Sequence, residues 1–364
     1  MHITAVKFTT KLQSVVDSSS VTPTLTASTL TASTLTASTL TASTLTASTL
    51  LHPLSLSDVS LRDSMANALR RLSKCGVAGF LPQVFSRHGP RTLPHLVCQK
   101  RNNSTSSKIK VDLDPSTGVA VMRMQSPPVN SLNLDLLTEF TTTLEKLELD
   151  KSCRGVIITS SLPKIFSAGL DILEMYQTSP EHCGEFWRAV QEMWLKLYGS
   201  KLTTIAAING SSPAGGCLVS ISCDYRVMAD NPRYSIGLNE TLLGIVAPYW
   251  FKDTMANTVG HRTTELALAL GRLYSAPEAL KIGLVDELVP EDQVVTTAAQ
   301  TMGQWLAIDE HARQVTKAMM RKPTIDKLLS NREADVDNFV SFITQASVQK
   351  SLGMYLKMLK NRKG

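Results

Sequence analysis

Thr204-Ile205-Ala206-Ala207-Ile208-Asn209-Gly210 runs into Ser211-Ser212-Pro213-Ala214-Gly215-Gly216-Cys217-Leu218, and Cys223-Asp224-Tyr225-Arg226-Val227 follows. The segment closes on Gly237-Leu238-Asn239-Glu240-Thr241-Leu242-Leu243-Gly244. A short apolar run bounded by Asn-Gly reads as a strand buried on both faces. The glycine pair opens a helix, so backbone N–H groups without intrahelical partners point out of its first turn. Such donors can hold a developing oxyanion. Glu240 sits in an apolar stretch with no basic residue within six positions, a setting that favours a raised pKa. Oxyanion donors and one tuned carboxylate are the parts needed to abstract a proton beside a carbonyl.

Outward from this stretch, strands alternate with helices. Val119–Met124 and Gly155–Thr159 read as strands. Leu134–Leu149 reads as an amphipathic helix with Leu136, Leu137, Phe140, Leu144 and Leu147 on one side. The loop Phe166–Ile172 leads into a helix, and Phe186–Tyr198 carries a broad apolar face of aromatics that belong to a core rather than to a cofactor. Beyond Glu240 the chain turns helical: Arg262–Leu270, a helix opened by Pro277, Asp292–Ala307 and Glu310–Met320, with a short strand over Val285–Val289. The tail, Ala334–Leu359, is amphipathic through Val336, Phe339, Val340, Ile343, Val348, Leu352 and Tyr355, and so needs a surface to cover it. The alternation predicts an α/β body.

The front of the chain differs. Residues 1–107 hold ten Lys/Arg and three Asp/Glu, a balance of +7, which leaves −1 for residues 108–364 out of the overall +6. Thr-Leu-Thr-Ala-Ser repeats five times from Thr24, too short and polar a unit to bury a core, so residues 1–64 read as a low-complexity extension. Residues 65–107 begin at Met65, which reads as a start site, and lack any acid between Asp63 and Asp112 while Arg70, Arg71, Lys74, Arg87 and Arg91 recur among apolar residues. That pattern marks a mitochondrial presequence, cleaved between about Arg87 and Lys108. The six cysteines form no C-x-x-C pair and few histidines accompany them, so neither a metal site nor a disulfide framework is expected. No apolar run approaches the roughly 18 residues of a membrane span, so no stable membrane insertion is expected. The −1 body argues against nucleic acid as a partner.

Five short motifs carry a resemblance: Pro127-Pro128-Val129-Asn130-Ser131-Leu132, Phe166-Ser167-Ala168-Gly169-Leu170-Asp171, Pro213-Ala214-Gly215-Gly216-Cys217, Cys223-Asp224-Tyr225-Arg226 and Gly237-Leu238-Asn239-Glu240. Together, in this order, they resemble the crotonase (enoyl-CoA hydratase/isomerase) superfamily over about residues 110–364. Later matches are Ala318-Met319-Met320-Arg321-Lys322 and Asn338–Ile343. The resemblance implies a crotonase-like spiral of ββα units over 108–300, a helical C-terminal part over 301–364, a homotrimer, and a mitochondrial matrix location. It implies an acyl-CoA substrate with no cofactor beyond the coenzyme A it carries. It places the thioester oxygen between the backbone N–H groups of Leu170 and Gly215, lines the acyl-CoA with Ala168, Gly169, Leu170, Asp171, Ile172, Gly215 and Asn239, and makes Glu240 the base.

Hydratases of this family pair two glutamates to handle water, and here the first of those positions is Leu218. A single carboxylate suits isomerisation, moving one proton from C2 to C4 of a 3-enoyl-CoA through a dienolate to give the trans-2-enoyl-CoA. The alternatives are an enoyl-CoA hydratase, disfavoured by Leu218, and a non-catalytic binding protein on the same fold. Blander readings also exist for each residue. Glu240 could serve a turn, Gly215-Gly216 could serve close packing, and no phosphate-binding spacing is present. Asp171 reads as a helix cap, Asp224 as structural, and Lys317, Arg321, Lys322 and Lys350 as solvated helix faces.

Overall fold

The computed structural model describes residues 107–361. The repeats over 1–64 and the expected presequence up to residue 106 lie outside the described residues. Strands β1 (Ile109–Asp114) and β2 (Val119–Met124) form an antiparallel pair with Ile109 opposite Met124. Next come β3 (Ser131–Leu132), α1 (Leu134–Leu149), β4 (Gly155–Ser160), β5 (Lys164–Ile165), β6 (Gly169–Leu170) and α2 (Pro180–Tyr198). A third stretch holds β7 (Thr203–Ile208), β8 (Gly210–Pro213) and α3 (Gly215–Ser222), and β9 (Tyr225–Ala229) and β10 (Ser235–Gly237) follow. The remainder comprises α4 (Tyr249–Val259), α5 (His261–Leu270), β11 (Tyr274–Ser275), α6 (Ala276–Lys281), β12 (Glu287–Val289), α7 (Val294–Leu306), α8 (Glu310–Leu329), α9 (Arg332–Ile343) and α10 (Ala346–Asn361).

The large sheet runs β1-β2-β4-β7-β9-β12 and is parallel throughout except for β1. A smaller sheet runs β11-β10-β8-β5, and β3 pairs with β6. Successive stretches of chain thus add a long strand to one layer, a short strand to a second and, in three of them, a helix, which is the expected ββα spiral. Every residue of β4 and of β7 is buried, as central parallel strands require. Asn133 caps α1 by accepting from the Leu136 N–H, and Leu136, Leu137, Phe140, Leu144 and Leu147 are its buried face. Ser179 caps α2 and Pro180 sits in its first turn, where a missing N–H is harmless.

Several expectations shift. The loop after Gly169 does not enter a helix directly: Asp171 caps a single 3-10 turn, Ile172–Glu174, and α2 begins only at Pro180. Helix α8 does not stop at Met320 but continues through Pro323 to Leu329, because buried Thr324 and Leu328 anchor its last turns. The tail is two helices broken at Thr344-Gln345 rather than one, and helix α7 spans the expected 300/301 boundary. Strands β1, β8 and β10 and helix α4 went unread. They are short, polar or mixed in pattern, and tertiary contacts hold them in place.

Much of the tail is covered by its own chain, while Met354, Met358 and Leu359 near its end are exposed. Phe339 stacks on Trp187 with ring centroids 3.8 Å apart, and buried Asp335 accepts from Trp187 Nε1 (2.9 Å), Gln191 Nε2 (2.9 Å) and Trp250 Nε1 (3.1 Å). Helix α10 then returns toward the 3-10 turn: Gln349 donates to Met175 O (2.9 Å) and accepts from the Gln177 N–H (2.9 Å).

Candidate active site

The site forms where the ends of β6, β8 and β10 meet the start of α3. Just after β6, the Asp171 N–H donates to Leu132 O of β3 at 3.2 Å. Successive N–H groups of extended backbone point to opposite sides, so the Leu170 N–H turns away from β3. It turns toward Gly215, the first residue of α3, whose own N–H has no place in the helical ladder. Glycine lets these pieces approach. Gly169 has φ +90°, and a side-chain carbon there would lie 3.0 Å from Gly215 N. A carbon on Gly216 would lie 2.6 Å from Ser167 O. Ala214 pays for the turn with φ 49°, and its N–H donates to Gly237 O at 2.8 Å.

That last bond ties β10 to the turn. Gly237 pairs in register with Pro213, and Glu240 begins a 3-10 turn, Glu240–Leu243, three residues further on. The Glu240 side chain is buried, and neither of its carboxylate oxygens has a hydrogen-bond partner. Burial pushes its pKa up to about 7. The Oδ1 atom of Asn239 is likewise buried and unpartnered. Burial first, and then the charge of the nearby Glu240 carboxylate, raise the pKa of the Cys217 thiol in the first turn of α3 well above its ordinary value. Leu218, on the same turn, is fully buried.

Ala168, Leu170, Asp171, Ile172 and Asn239 are half-buried and Gly169 and Gly215 buried, and Gly169, Leu170 and Gly215 lie against one another. Asp171 does act as a cap, its Oδ1 accepting from the Leu173 N–H at 3.0 Å. Asp224 is structural: its Oδ2 accepts from Thr204 N–H (2.9 Å) and from Lys317 Nζ (2.8 Å). Lys317 and Arg321 are not solvated helix faces. Arg321 Nη1 donates to Tyr198 O (2.8 Å) and Ser222 O (2.9 Å), and Nη2 to Cys223 O (3.2 Å) and Asp224 Oδ1 (2.9 Å), so it clasps the C-terminal end of α3. Lys322 and Lys350 are exposed, as expected.

Asn130 carries a positioning role that its residue type alone did not reveal. It is buried with φ 49°, accepts from the Ser126 N–H (2.8 Å), and donates to Ser160 Oγ (2.8 Å) and Phe166 O (3.0 Å), while Ser167 Oγ donates to Asn130 O (2.7 Å). These bonds set the start of the Phe166–Leu170 loop. Its place after Pro127-Pro128-Val129, a turn-forming context, was the available signal. Among the described residues no cluster of His, Cys, Asp and Glu could hold a metal ion, and no helix is long and apolar enough to cross a membrane.

This chain belongs to the enoyl-CoA hydratase/isomerase family, whose sequence profile matches residues 114–362. It is 61% identical over 259 residues to mouse "Enoyl-CoA delta isomerase 1, mitochondrial", covering 71% of this chain and 90% of that protein. The human protein of the same name is 60% identical over 259 residues, covering 71% of this chain and 86% of its own length. The crystal structure of human mitochondrial delta3-delta2-enoyl-CoA isomerase superposes with a TM-score of 0.70 at 60% identity, over 71% of this chain and all of that one. A Bacillus halodurans enoyl-CoA hydratase, 20% identical with a TM-score of 0.62, shares the fold.

Proposed function

We propose that the protein is a mitochondrial Δ3,Δ2-enoyl-CoA isomerase acting in the oxidation of unsaturated fatty acids. The observation that carries this reading is the single buried carboxylate of Glu240, unpartnered at both oxygens, on a chain whose glycine turn is followed by Leu218 rather than a second acid. The thioester oxygen of a 3-enoyl-CoA accepts from the Leu170 and Gly215 N–H groups. Glu240 takes a proton from C2, the electron pair moves into a dienolate held by those two donors, and the same carboxyl returns the proton to C4. The product is the trans-2-enoyl-CoA, with atoms conserved and no cofactor consumed. A base with a pKa of about 7 exists in both forms at neutral pH, as one group that gives back what it takes requires. Water addition needs a further acid/base partner, which this turn of α3 lacks.

The acyl chain finds apolar surroundings in Leu173, Leu242 and Val246, which stand exposed on the two 3-10 turns beside the site and just after them. Mitochondrial delivery is supported by the names of the curated relatives and by the acid-free, arginine-bearing stretch after Met65, with the matrix as destination. Assembly as a homotrimer gains support from exposed Val315, Met319 and Met320 on α8, apolar surface that a neighbouring copy would cover. Incubation with trans-3-hexenoyl-CoA tests the reading: 2-enoyl product is expected, and 3-hydroxy product as the main outcome refutes it.

A further inference from the structure

We propose that Glu174 is a positioning residue for the Leu170 amide, an inference that rests on Leu170 being an oxyanion donor. Strand β6 is only two residues long and pairs with a two-residue β3, Leu170 opposite Leu132. So short a ladder cannot hold its own register against thermal motion. The Glu174 carboxylate closes the structure around it. Its Oε1 accepts from the N–H of Leu134, two residues after β3, at 2.9 Å. Its Oε2 lies 2.5 Å from Nε2 of His182, in the first turn of α2. The Glu174 N–H donates to Asp171 O at 3.2 Å, and its carbonyl accepts from Thr178 Oγ1 at 3.0 Å.

One side chain therefore links three pieces: the turn leaving Leu170, the start of α1 that continues from β3, and the start of α2. The carboxylate is mostly shielded, with 16% of the side chain exposed, and it stands at two helix N-termini where negative charge is favoured. Both of its oxygens are engaged, in contrast with those of Glu240, so Glu174 holds geometry and transfers no proton. Without it the β3–β6 bridge can slip, and the Leu170 N–H departs from the position where the oxyanion forms. Misplacement on the order of 1 Å costs about 10²-fold in rate.

The test uses the full chain with Glu174→Ala, Glu174→Gln and, as reference, Glu240→Gln. Turnover of trans-3-hexenoyl-CoA and the infrared thioester C=O stretch of bound trans-2-hexenoyl-CoA are measured for each. Glu174→Ala is expected to lower kcat about 10–100-fold with KM within about threefold, and to move the C=O stretch toward its free value. Glu174→Gln keeps an acceptor for the Leu134 N–H but loses the charge, and is expected about three- to fivefold below wild type with an intermediate stretch. Wild-type kcat and stretch in Glu174→Ala overturn the proposal, as does a fall in kcat with the stretch unmoved. If the alanine variant does not fold, the glutamine variant decides by the same two readings. Glu240→Gln is expected to lose turnover while keeping the stretch. Turnover surviving there refutes the isomerase reading and leaves the positioning claim to its own variants.

Discussion

A side-chain carbon on Gly215 would lie 3.1 Å from the backbone nitrogen of Leu170. In the proposed mechanism the thioester oxygen takes the space between those two residues. Gly215→Ala is expected to fold, since the neighbours it meets include the flexible ends of Leu132 and Leu170 and alanine favours the helix. It is expected to lose about 10²–10³ in kcat by crowding the donor pair. Gly216→Ala instead meets the Ser167 carbonyl at 2.6 Å, main chain that cannot yield, and is expected to lower the melting temperature first. Parallel kcat and thermal-unfolding measurements on the two variants separate the effects.

Activity should follow the ionisation of Glu240. With Glu240 as the proposed base, kcat/KM is expected to rise tenfold per pH unit on the acid side and level off above a pKa near 7. Stability runs the other way. Because burial raises the folded pKa above the ordinary value of 4.5, this group favours the fold fully below that value, and the contribution is lost as pH rises through about 7. Glu240→Gln is expected to abolish turnover and to gain on wild type in melting temperature between pH 5 and 8. A melting-temperature difference independent of pH would contradict the buried, unpaired carboxylate.

Asp335 offers one oxygen to two indoles and an amide. Asp335→Ala leaves all three donors without that partner in a buried cluster and is expected to cost about 3 kcal/mol or more. The loss should be read by urea unfolding, with α9 and α10 becoming sensitive to limited proteolysis before the body does. Cleavage that is no faster than in wild type would show that the tail is held by apolar contacts alone.

Arg321 should matter more than its surface-like sequence context suggests. Arg321→Met removes the donors on three carbonyls at the ends of α2 and α3 and is expected to destabilise by about 2–3 kcal/mol. Arg321→Lys retains charge but not the planar fork, so an intermediate loss is expected. Equal melting temperatures for the lysine variant and wild type would show that charge, not geometry, is what α3 requires.

The sequence made the spiral legible where its strands are apolar and its helices amphipathic, as in β4, β7, α1 and α2. The glycine turn and Glu240 were legible because both depend on local residue type. Less readable were features set by distant partners. Nothing near Arg321 indicates that it reaches Ser222 O, because that contact depends on how α8 crosses α3. The helix read over Glu310–Met320 runs on through Pro323, because burial of Thr324 and Leu328 outweighs the cost of the proline. Strands β3 and β6 carry two residues each, too few for any periodicity to register.

The two amides proposed to grip the thioester belong to the main chain, so no codon change short of one to proline deletes them. The proposed proton carrier, by contrast, is one side chain on a separate strand exit after β10. A lineage keeping this scaffold can therefore exchange its reagent while its handle stays intact, and new chemistry on coenzyme A esters would begin at the tip of β10 or along α3 rather than in the grip itself.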